Sequence, residues 1–265
     1  MLSGYRARIS EAISTTRELV GETLQGHRIS RKTSFSCCPR PVMLVYGFGT
    51  TRRVFRVMEK RLRKDGFDVF SINMGGVWDI MWTGNIEWRA QFVADKVEQL
   101  YAKYDMGPLA IIGHSEGGVI SRYYVQCLGG DKRAQTLITL ASPHRGTPAA
   151  VLGAMTMGAL ARNLFQLIPS SPFMRRLARK PFPHNVKFVS IYSGDDWVCP
   201  ASYCRAVDDK NNELSINVEL PGLGHNDFLL KKSPYKTIRR VLFGLPITPE
   251  CSEAVTEGSA AGQTV

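Results

Sequence analysis

Short apolar runs and helix-spaced apolar positions alternate through the middle of the chain. Between the runs, apolar residues recur at helical spacing, as at Ala90, Val93, Ala94 and Val97. This alternation is typical of βαβ units, so the pattern predicts an α/β fold with a mostly parallel sheet and helices on both faces. The predicted strands are Pro41–Tyr46, Phe67–Ile72, Leu109–Ile112, Thr136–Ala141, Val186–Tyr192 and Ile216–Leu220.

The two ends of the chain follow different patterns. Apolar residues near the helical period between Tyr5 and Leu24, with charged residues among them, predict one amphipathic helix, and a polar linker follows to residue 40. We expect this helix to pack on the domain; the alternative is an anchor at a membrane interface. Residues 249–265 are too poor in apolar groups to order themselves. The predicted organisation is therefore residues 1–40 as helix and linker, 41–248 as the α/β domain, and 249–265 as a disordered tail.

The alternation breaks between residues 147 and 183. An apolar, helix-like segment at Ala149–Ile168 is followed by a Pro-Ser-Ser-Pro turn and a basic segment. Arg162, Asn163 and Gln166 argue against a transmembrane reading of the apolar segment. We therefore expect residues 147–183 to form a helical insertion that covers the substrate cleft as a lid or cap.

One pentapeptide carries the first candidate for chemistry. Residues 113–117 read Gly-His-Ser-Glu-Gly, with a predicted strand before them and a helix pattern after them. A sharp strand-to-helix turn that lifts a serine above the sheet leaves little room for a Cβ at Gly113 or Gly117. The context predicts a nucleophile elbow, with Ser115 as the nucleophile.

A serine nucleophile needs a base within hydrogen-bond reach, and the base needs an orienting group. His225 follows the last predicted strand, which is where an α/β sheet with this elbow places its base. The other four histidines fit less well. His114 adjoins the nucleophile and is expected to point away from its hydroxyl, and His27 is in the linker. His144 comes earlier in the chain than any loop that could carry the orienting acid, and His184 lies at the end of the insertion.

The acid is expected in the loop after the strand Val186–Tyr192, which holds Asp195 and Asp196. We favour Asp196 because it begins an Asp-x-Val-x-Pro pattern, and Asp195 is the alternative. Adjacent aspartates also serve as turn formers.

Acyl transfer also requires two donors for the developing oxyanion. In this arrangement they are the backbone N–H after the nucleophile and one from the loop after an early strand, which correspond to Glu116 and Phe48. The Glu116 carboxylate itself is expected to lie at a helix N-terminus, where negative charge is favourable.

Composition narrows the partners and the compartment. The net charge of +11 indicates a basic surface and raises peripheral contact with an anionic membrane as a hypothesis, but no nucleic-acid-binding motif accompanies it. The six cysteines show no paired C-x-x-C spacing, so we expect no metal site and reduced thiols, with Cys199 and Cys204 close enough in sequence to pair. No secretory signal is visible, which predicts a cytoplasmic protein.

Taken together, these residues resemble the bacterial α/β-hydrolase lipases and esterases. The similarity covers about residues 41–230 and includes the elbow, the Ser-Pro-His-Arg-Gly-Thr-Pro block at 142–148 and the loops of the predicted acid and base. It implies the α/β-hydrolase fold and carboxylic-ester hydrolysis by a Ser115–His225–Asp196 triad, with an apolar acyl ester or lipid substrate entering beneath the insertion and no organic cofactor. One departure is visible: such relatives usually carry His-Gly where this chain has Tyr46-Gly47.

Two other functions remain open on the sequence. The same acyl-enzyme chemistry serves an acyltransferase or an amidase, because the sequence does not say what resolves the intermediate. A non-catalytic lipid-binding protein on a hydrolase fold is the third hypothesis, supported by the Tyr46 departure alone.

Overall fold

Among the residues that the structure describes, six parallel strands form one sheet at the centre of the molecule. The computed structural model describes residues 17–24, 32–74, 84–157, 162–205 and 214–247. The strands are β1 (Pro41–Val45), β2 (Asp68–Ser71), β3 (Leu109–His114), β4 (Ala134–Leu140), β5 (Lys187–Tyr192) and β6 (Ser215–Glu219), in the spatial order β2-β1-β3-β4-β5-β6. Every residue of β1 and β3 is buried, as expected for central strands covered on both faces.

Helices connect the strands. They are α1 (Arg56–Lys64), which extends a short 3₁₀ helix at Arg52–Phe55, α2 (Ile86–Lys103), α3 (Glu116–Cys127), α4 (Ala149–Met157), α5 (Arg162–Gln166), α6 (Pro172–Arg179), α7 (Ala201–Cys204), α8 (Asp227–Leu230) and α9 (Lys232–Leu242). The side chain of Asn85 caps α2 by accepting a hydrogen bond from the N–H of Trp88 at 2.8 Å.

The strand order reverses direction at β1. The chain runs outward from β1 to the edge strand β2 and returns to β3 on the other side of β1. Such a reversal opens a crevice at the carboxyl ends of the two central strands, which is where open α/β sheets bind ligands. The loop after β1 and the turn after β3 therefore meet at this point.

The described part of the N-terminal region packs on the domain. Residues 17–24 are helical, and Leu19 is buried in the main core. Glu22 forms ion pairs with Arg53 at 2.9 Å and Arg56 at 2.6 Å. Farther along, Phe35 of the predicted linker packs against the sheet edge, so this part of the linker belongs to the folded domain. The first sixteen residues and the predicted tail lie outside the described residues.

The region between β4 and β5 holds α4, α5 and α6, where the sequence predicted a helical insertion. The single apolar segment expected at residues 149–168 comprises two helices, with residues 158–161 outside the described part. Ser171 caps α6 by accepting from the N–H of Met174 at 3.2 Å, and Pro172 occupies its first turn. Within the described ranges, no helix is long and apolar enough to cross a membrane.

Candidate active site

Ser115 lies in a strained turn between β3 and α3. Its φ is 54° and its ψ is −128°, a conformation that non-glycine residues seldom adopt. The turn is tight on both sides: a Cβ on Gly113 would stand 2.5 Å from the Cα of Gly118, and one on Gly117 would stand 2.2 Å from the carbonyl oxygen of Val45. Glycine is therefore required at both positions, and the serine hydroxyl projects at the carboxyl end of the sheet.

His225 lies between Ser115 and Asp196. Its Nε2 is 3.0 Å from Oγ of Ser115, and its Nδ1 is 2.8 Å from Oδ2 of Asp196. Because the carboxylate can only accept, the Nδ1 atom carries the proton and Nε2 is free to accept from the serine hydroxyl. The three residues, which come from three separate loops, form one continuous hydrogen-bonded chain.

The carboxylate of Asp196 is buried, and both of its oxygens accept hydrogen bonds. Its Oδ1 accepts from the N–H groups of Val198 at 2.9 Å and Cys199 at 3.0 Å, which leaves Oδ2 for His225. Three donors therefore hold the two oxygens of this side chain, which belongs to a residue that is 1% exposed.

Asp195 faces a different partner. Its Oδ2 accepts from the N–H of Gly222 at 2.7 Å, which ties the loop after β5 to the loop that carries the histidine. Of the two adjacent aspartates, the structure brings Asp196 to His225 and gives Asp195 a role in holding the two loops together.

His114 supports His225 in a way that the sequence did not reveal. The Nε2 of His114 donates to the backbone carbonyl of His225 at 2.9 Å, and the two rings lie 4.9 Å apart. Burial, with the neighbouring His225, lowers the pKa of His114 to about 3, so this ring is neutral. Its position directly before the nucleophile was the available signal, but a contact across 111 residues depends on the tertiary fold.

The other histidines lie elsewhere. His144 is buried, with its Nε2 2.9 Å from Oγ1 of Thr139, and burial lowers its pKa well below the ordinary value. His184 is on the surface. His27 lies outside the described residues.

The loop after β1 packs directly on the elbow. A Cβ on Gly47 would stand 2.9 Å from Cβ of Ser115 and 3.4 Å from the backbone nitrogen of Glu116. The backbone next to Phe48 is therefore a neighbour of the other predicted oxyanion donor. The hydroxyl of Thr50 closes the loop by donating to the carbonyl of Gly47 at 2.9 Å.

Tyr46 anchors this loop. Its side chain is fully buried, and its hydroxyl accepts from the N–H of Met74, beyond the end of β2, at 3.1 Å. The departure from His-Gly thus places a hydrogen-bonded side chain between two strand ends.

Glu116 is the first residue of α3, at the helix N-terminus as expected, and its side chain is buried there. Arg89 of α2 donates to its Oε2 at 2.9 Å, and Asn163 of α5 donates to its Oε1 at 2.7 Å. All three side chains are at most 1% exposed. The residue after the nucleophile is therefore held by α2 and by the insertion together.

The block at residues 142–148 supports the acid loop. The hydroxyl of Thr147 donates to the carbonyl of Val198, and the N–H of Arg145 donates to the carbonyl of Tyr203 at 3.1 Å. This block therefore braces the segment that starts at the predicted acid.

The thiols in the described part of the chain are free. Cys199 and Cys204, which the sequence left as a possible pair, are joined by a hydrogen bond from Sγ of Cys204 to the carbonyl of Cys199 at 3.2 Å. No cluster of potential metal ligands is present among the residues that the structure describes.

Solved structures of α/β hydrolases share this fold. A mature lipase of Bacillus licheniformis is similar, with a TM-score of 0.60 and 16% identity over 82% of this chain and 96% of that chain. A lipase B of Aspergillus fumigatus gives a TM-score of 0.65 and 17% identity over 84% of this chain and 57% of its own. A monoacylglycerol lipase of Paleococcus ferrophilus gives 0.56 and 16%, over 78% and 95%. The expectation of an α/β-hydrolase fold is confirmed.

A family model narrows the assignment. The PGAP1-like alpha/beta domain matches residues 44–212, which is more than half of the chain, and the protein belongs to this family. The resemblance to lipases and esterases is confirmed by this match and by the shared fold. A comparison with curated proteins finds no match.

Proposed function

We propose that the protein is a carboxylic ester hydrolase in which Ser115 attacks the ester carbonyl. The observation that carries the proposal is the chain of contacts from Ser115 to His225 at 3.0 Å and from His225 to Asp196 at 2.8 Å. The strained elbow that presents the hydroxyl supports it. The lipase and esterase names of the solved structures with this fold point to the same reaction class.

The proton path follows from the tautomer of His225. Nε2 accepts the proton of Ser115 as Oγ bonds to the carbonyl carbon, and it then gives that proton to the departing alkoxide. Asp196 remains ionised and stabilises the imidazolium that forms between these steps. A water molecule then transfers a proton to Nε2 as its oxygen bonds to the acyl carbon. Nε2 gives this proton to Oγ as the bond between Oγ and the acyl carbon breaks, which releases the carboxylic acid and restores both Ser115 and neutral His225.

The backbone N–H groups of Phe48 and Glu116 are proposed as the oxyanion donors. The contact between Gly47 and the elbow supports their pairing, because it brings the two backbone segments together. Donors fixed before the reaction cost no reorganisation when the negative charge forms.

An apolar acyl group is the proposed substrate. Phe48 packs with Ala154, Leu164 and Ile168 of the insertion, so apolar side chains stand beside the proposed oxyanion loop. On the outer side of α4, Leu152 is 68% exposed and Met155 is 80% exposed. Exposed apolar residues on a cleft cover match a lipid-like substrate, and we propose the insertion as a lid.

Hydrolysis of nitrophenyl esters of graded chain length tests the function. We expect turnover that increases with acyl length beyond acetate and is abolished in a Ser115→Ala variant. Turnover that persists in Ser115→Ala, or none on any ester with either long or short chains, would refute the proposal.

The acceptor and the membrane contact have separate tests. Adding alcohols or amines as competing acceptors distinguishes hydrolysis from acyl transfer, because a transferase would yield new esters or amides in place of free acid.

Peripheral binding to an anionic membrane predicts co-sedimentation with vesicles that contain anionic lipid and none with neutral vesicles.

A further inference from the structure

A cavity lies outside the proposed catalytic residues. Its volume is about 580 Å³. It is bounded by α1 with the 3₁₀ helix before it, by α2, by strand β2 and by residues 32–35, which precede β1. This volume is within the range of small-molecule sites. None of Ser115, His225 and Asp196 lines it. β2, which contributes to the cavity wall, and β3, which leads to Ser115, stand on opposite sides of β1.

One wall of the cavity is apolar and aromatic. Phe35 stacks on Tyr104 with ring centroids 5.5 Å apart and meets Phe70 edge-on at 5.3 Å. Ile72 and Leu100 extend this wall. A hydrocarbon chain is favoured on such a surface because its burial removes apolar area from water.

The remaining lining is strongly cationic. Among the described residues, seven lysines and arginines border the cavity, against one carboxylate, that of Glu59. Three of the arginines have carboxylate partners: Arg63 with Glu59, and both Arg53 and Arg56 with Glu22. The other four cations have no carboxylate partner among the described residues, namely Lys32, Arg52, Lys96 and Lys103.

Arg52 carries a donor that lacks an acceptor. Its Nε is buried and has no hydrogen-bond partner in the part of the chain that the structure describes. A buried guanidinium N–H without a partner is costly. Arg52 lines the cavity, so a rotation of its side chain would let an anion there accept a charged hydrogen bond from it. The residue follows the loop of Phe48 and begins the 3₁₀ helix before α1.

We propose that this cavity binds a single-chain anionic amphiphile, with the acyl chain on the aromatic wall and the anionic group at Arg52. The aromatic wall alone would accept any apolar molecule, and the cations alone would accept any small anion. The two surfaces line one cavity, so the ligand that satisfies both has a chain and an anionic head.

Calorimetric titration with dodecanoate, below its critical micelle concentration, tests the site. The Ser115→Ala protein is used, so that binding is measured separately from any turnover. We expect saturable binding that weakens roughly tenfold in Arg52→Gln, since a charged hydrogen bond is lost, and that also weakens in Leu100→Trp, where the larger side chain narrows the cavity at its apolar wall. Dodecanol and acetate are each expected to bind at least tenfold more weakly than dodecanoate.

Two further variants make the result decisive. A Lys96→Gln/Lys103→Gln double variant removes charge at half-buried and exposed positions, so it tests the cation requirement even if Arg52→Gln fails to fold; we expect weaker binding. Lys60→Gln, on an exposed position of α1 outside the cavity, is the matched control and should leave affinity unchanged. Absence of saturable binding, equal binding of dodecanol, or affinity that is unchanged in Leu100→Trp would overturn the proposal.

The result of the dodecanoate titration does not depend on whether the protein hydrolyses esters. If the esters are not cleaved but dodecanoate binds as described, the proposal of a ligand cavity is supported and the proposal of an ester hydrolase is refuted. If the esters are cleaved and dodecanoate does not bind, only the cavity proposal fails.

Discussion

At the residue scale, two adjacent aspartates have different environments. The carboxylate of Asp196 accepts hydrogen bonds from His225 and from two backbone N–H groups, while that of Asp195 accepts one from the N–H of Gly222. The difference arises because neighbouring residues in this loop point in different directions. The pair therefore offers a matched test of which carboxylate orients the base.

Replacing Asp196 by Asn should lower kcat on a nitrophenyl ester by roughly 10³- to 10⁴-fold, because an amide favours the wrong tautomer of His225. Replacing Asp195 by Asn should change kcat less than about tenfold, since that side chain contacts a loop N–H. Steady-state kinetics of both variants check this. A larger loss in Asp195→Asn than in Asp196→Asn would assign the acid to the other residue.

Residue identities in the site were largely predictable, but their supports were not. Chain order and loop position predicted Ser115 and His225 and limited the acid to Asp195 or Asp196, of which the Asp-x-Val-x-Pro pattern favoured Asp196. The fold brings Ser115, His225 and Asp196 together. The bond from His114 to the carbonyl of His225 depends on how two distant loops meet, which no local pattern encodes. The two buried partners of Glu116, which are Arg89 and Asn163, were missed for the same reason.

At the element scale, the site depends on the contact between the loop after β1 and the elbow after β3. Gly47 is the residue at that contact, with space for no further atom between it and Ser115. The hydroxyl of Tyr46 fixes the start of the same loop. The position of the proposed oxyanion donors is therefore a property of two packed elements.

A Gly47→Ala variant should lower kcat/KM by about 10²- to 10³-fold, because the new Cβ displaces the loop and with it an oxyanion donor. Ester kinetics measure the loss. Gly21→Ala is the control, since nothing lies within 4 Å of the Cβ that it adds. Equal activity of Gly47→Ala and the unmodified protein would remove the proposed role of this loop.

A second link joins α2, the elbow and the insertion through Arg89, Glu116 and Asn163. Replacing Arg89 by Met should reduce the free energy of unfolding by about 3–5 kcal/mol, because it leaves the Glu116 carboxylate buried without its cation. Denaturant titration checks the value. Arg133→Met is the matched control; it breaks a surface pair with Glu98 and should cost less than about 1 kcal/mol. Similar losses in the two variants would contradict the proposed role of the buried pair.

Strand positions were predictable to within about two residues, and the differences have local causes. The strand expected at residues 136–141 is β4 (Ala134–Leu140). It ends before Ala141 because that residue has a φ of 47°, which a strand does not accommodate. It starts early because Ala134 pairs with Leu109 across a register shift. Neither feature is visible in the hydrophobic pattern.

At the scale of the whole molecule, the parallel sheet and the charge were readable from the sequence, while the distribution of that charge was not. The net charge of +11 shows an excess of basic residues. Among the described residues, seven basic side chains line one cavity: four come from α1 and α2, two from the 3₁₀ helix before α1, and one is Lys32. The N-terminal helix, predicted to pack on the domain, does so over residues 17–24 through Leu19 and Glu22.

Acid should destabilise the whole molecule through its buried histidines. The pKa of His114 is lowered to about 3 from an ordinary 6.5, and that of His144 is lowered well below 6.5, in both cases first by burial. Below pH 6.5 the unfolded chain takes up protons that the folded one does not, so this stability is complete above pH 6.5 and is lost as the pH falls. Each histidine contributes a slope of up to about 1.4 kcal/mol per pH unit.

Denaturant titrations between pH 7 and 5 measure this slope. The His114→Gln variant should show a slope smaller by about one proton, because the glutamine does not titrate. A variant at the exposed His184, His184→Gln, should retain the full slope. The same pH dependence in His114→Gln and the unmodified protein would show that His114 does not carry this effect.

The most direct test of the proposed catalytic serine is covalent labelling by a fluorophosphonate, read by intact mass and peptide mapping. Ser115 activated by His225 predicts one adduct, on the peptide that contains Ser115, absent in Ser115→Ala and formed at least about 100-fold more slowly in His225→Ala. An adduct at another serine, no adduct at all, or a labelling rate that His225→Ala leaves unchanged would contradict the account.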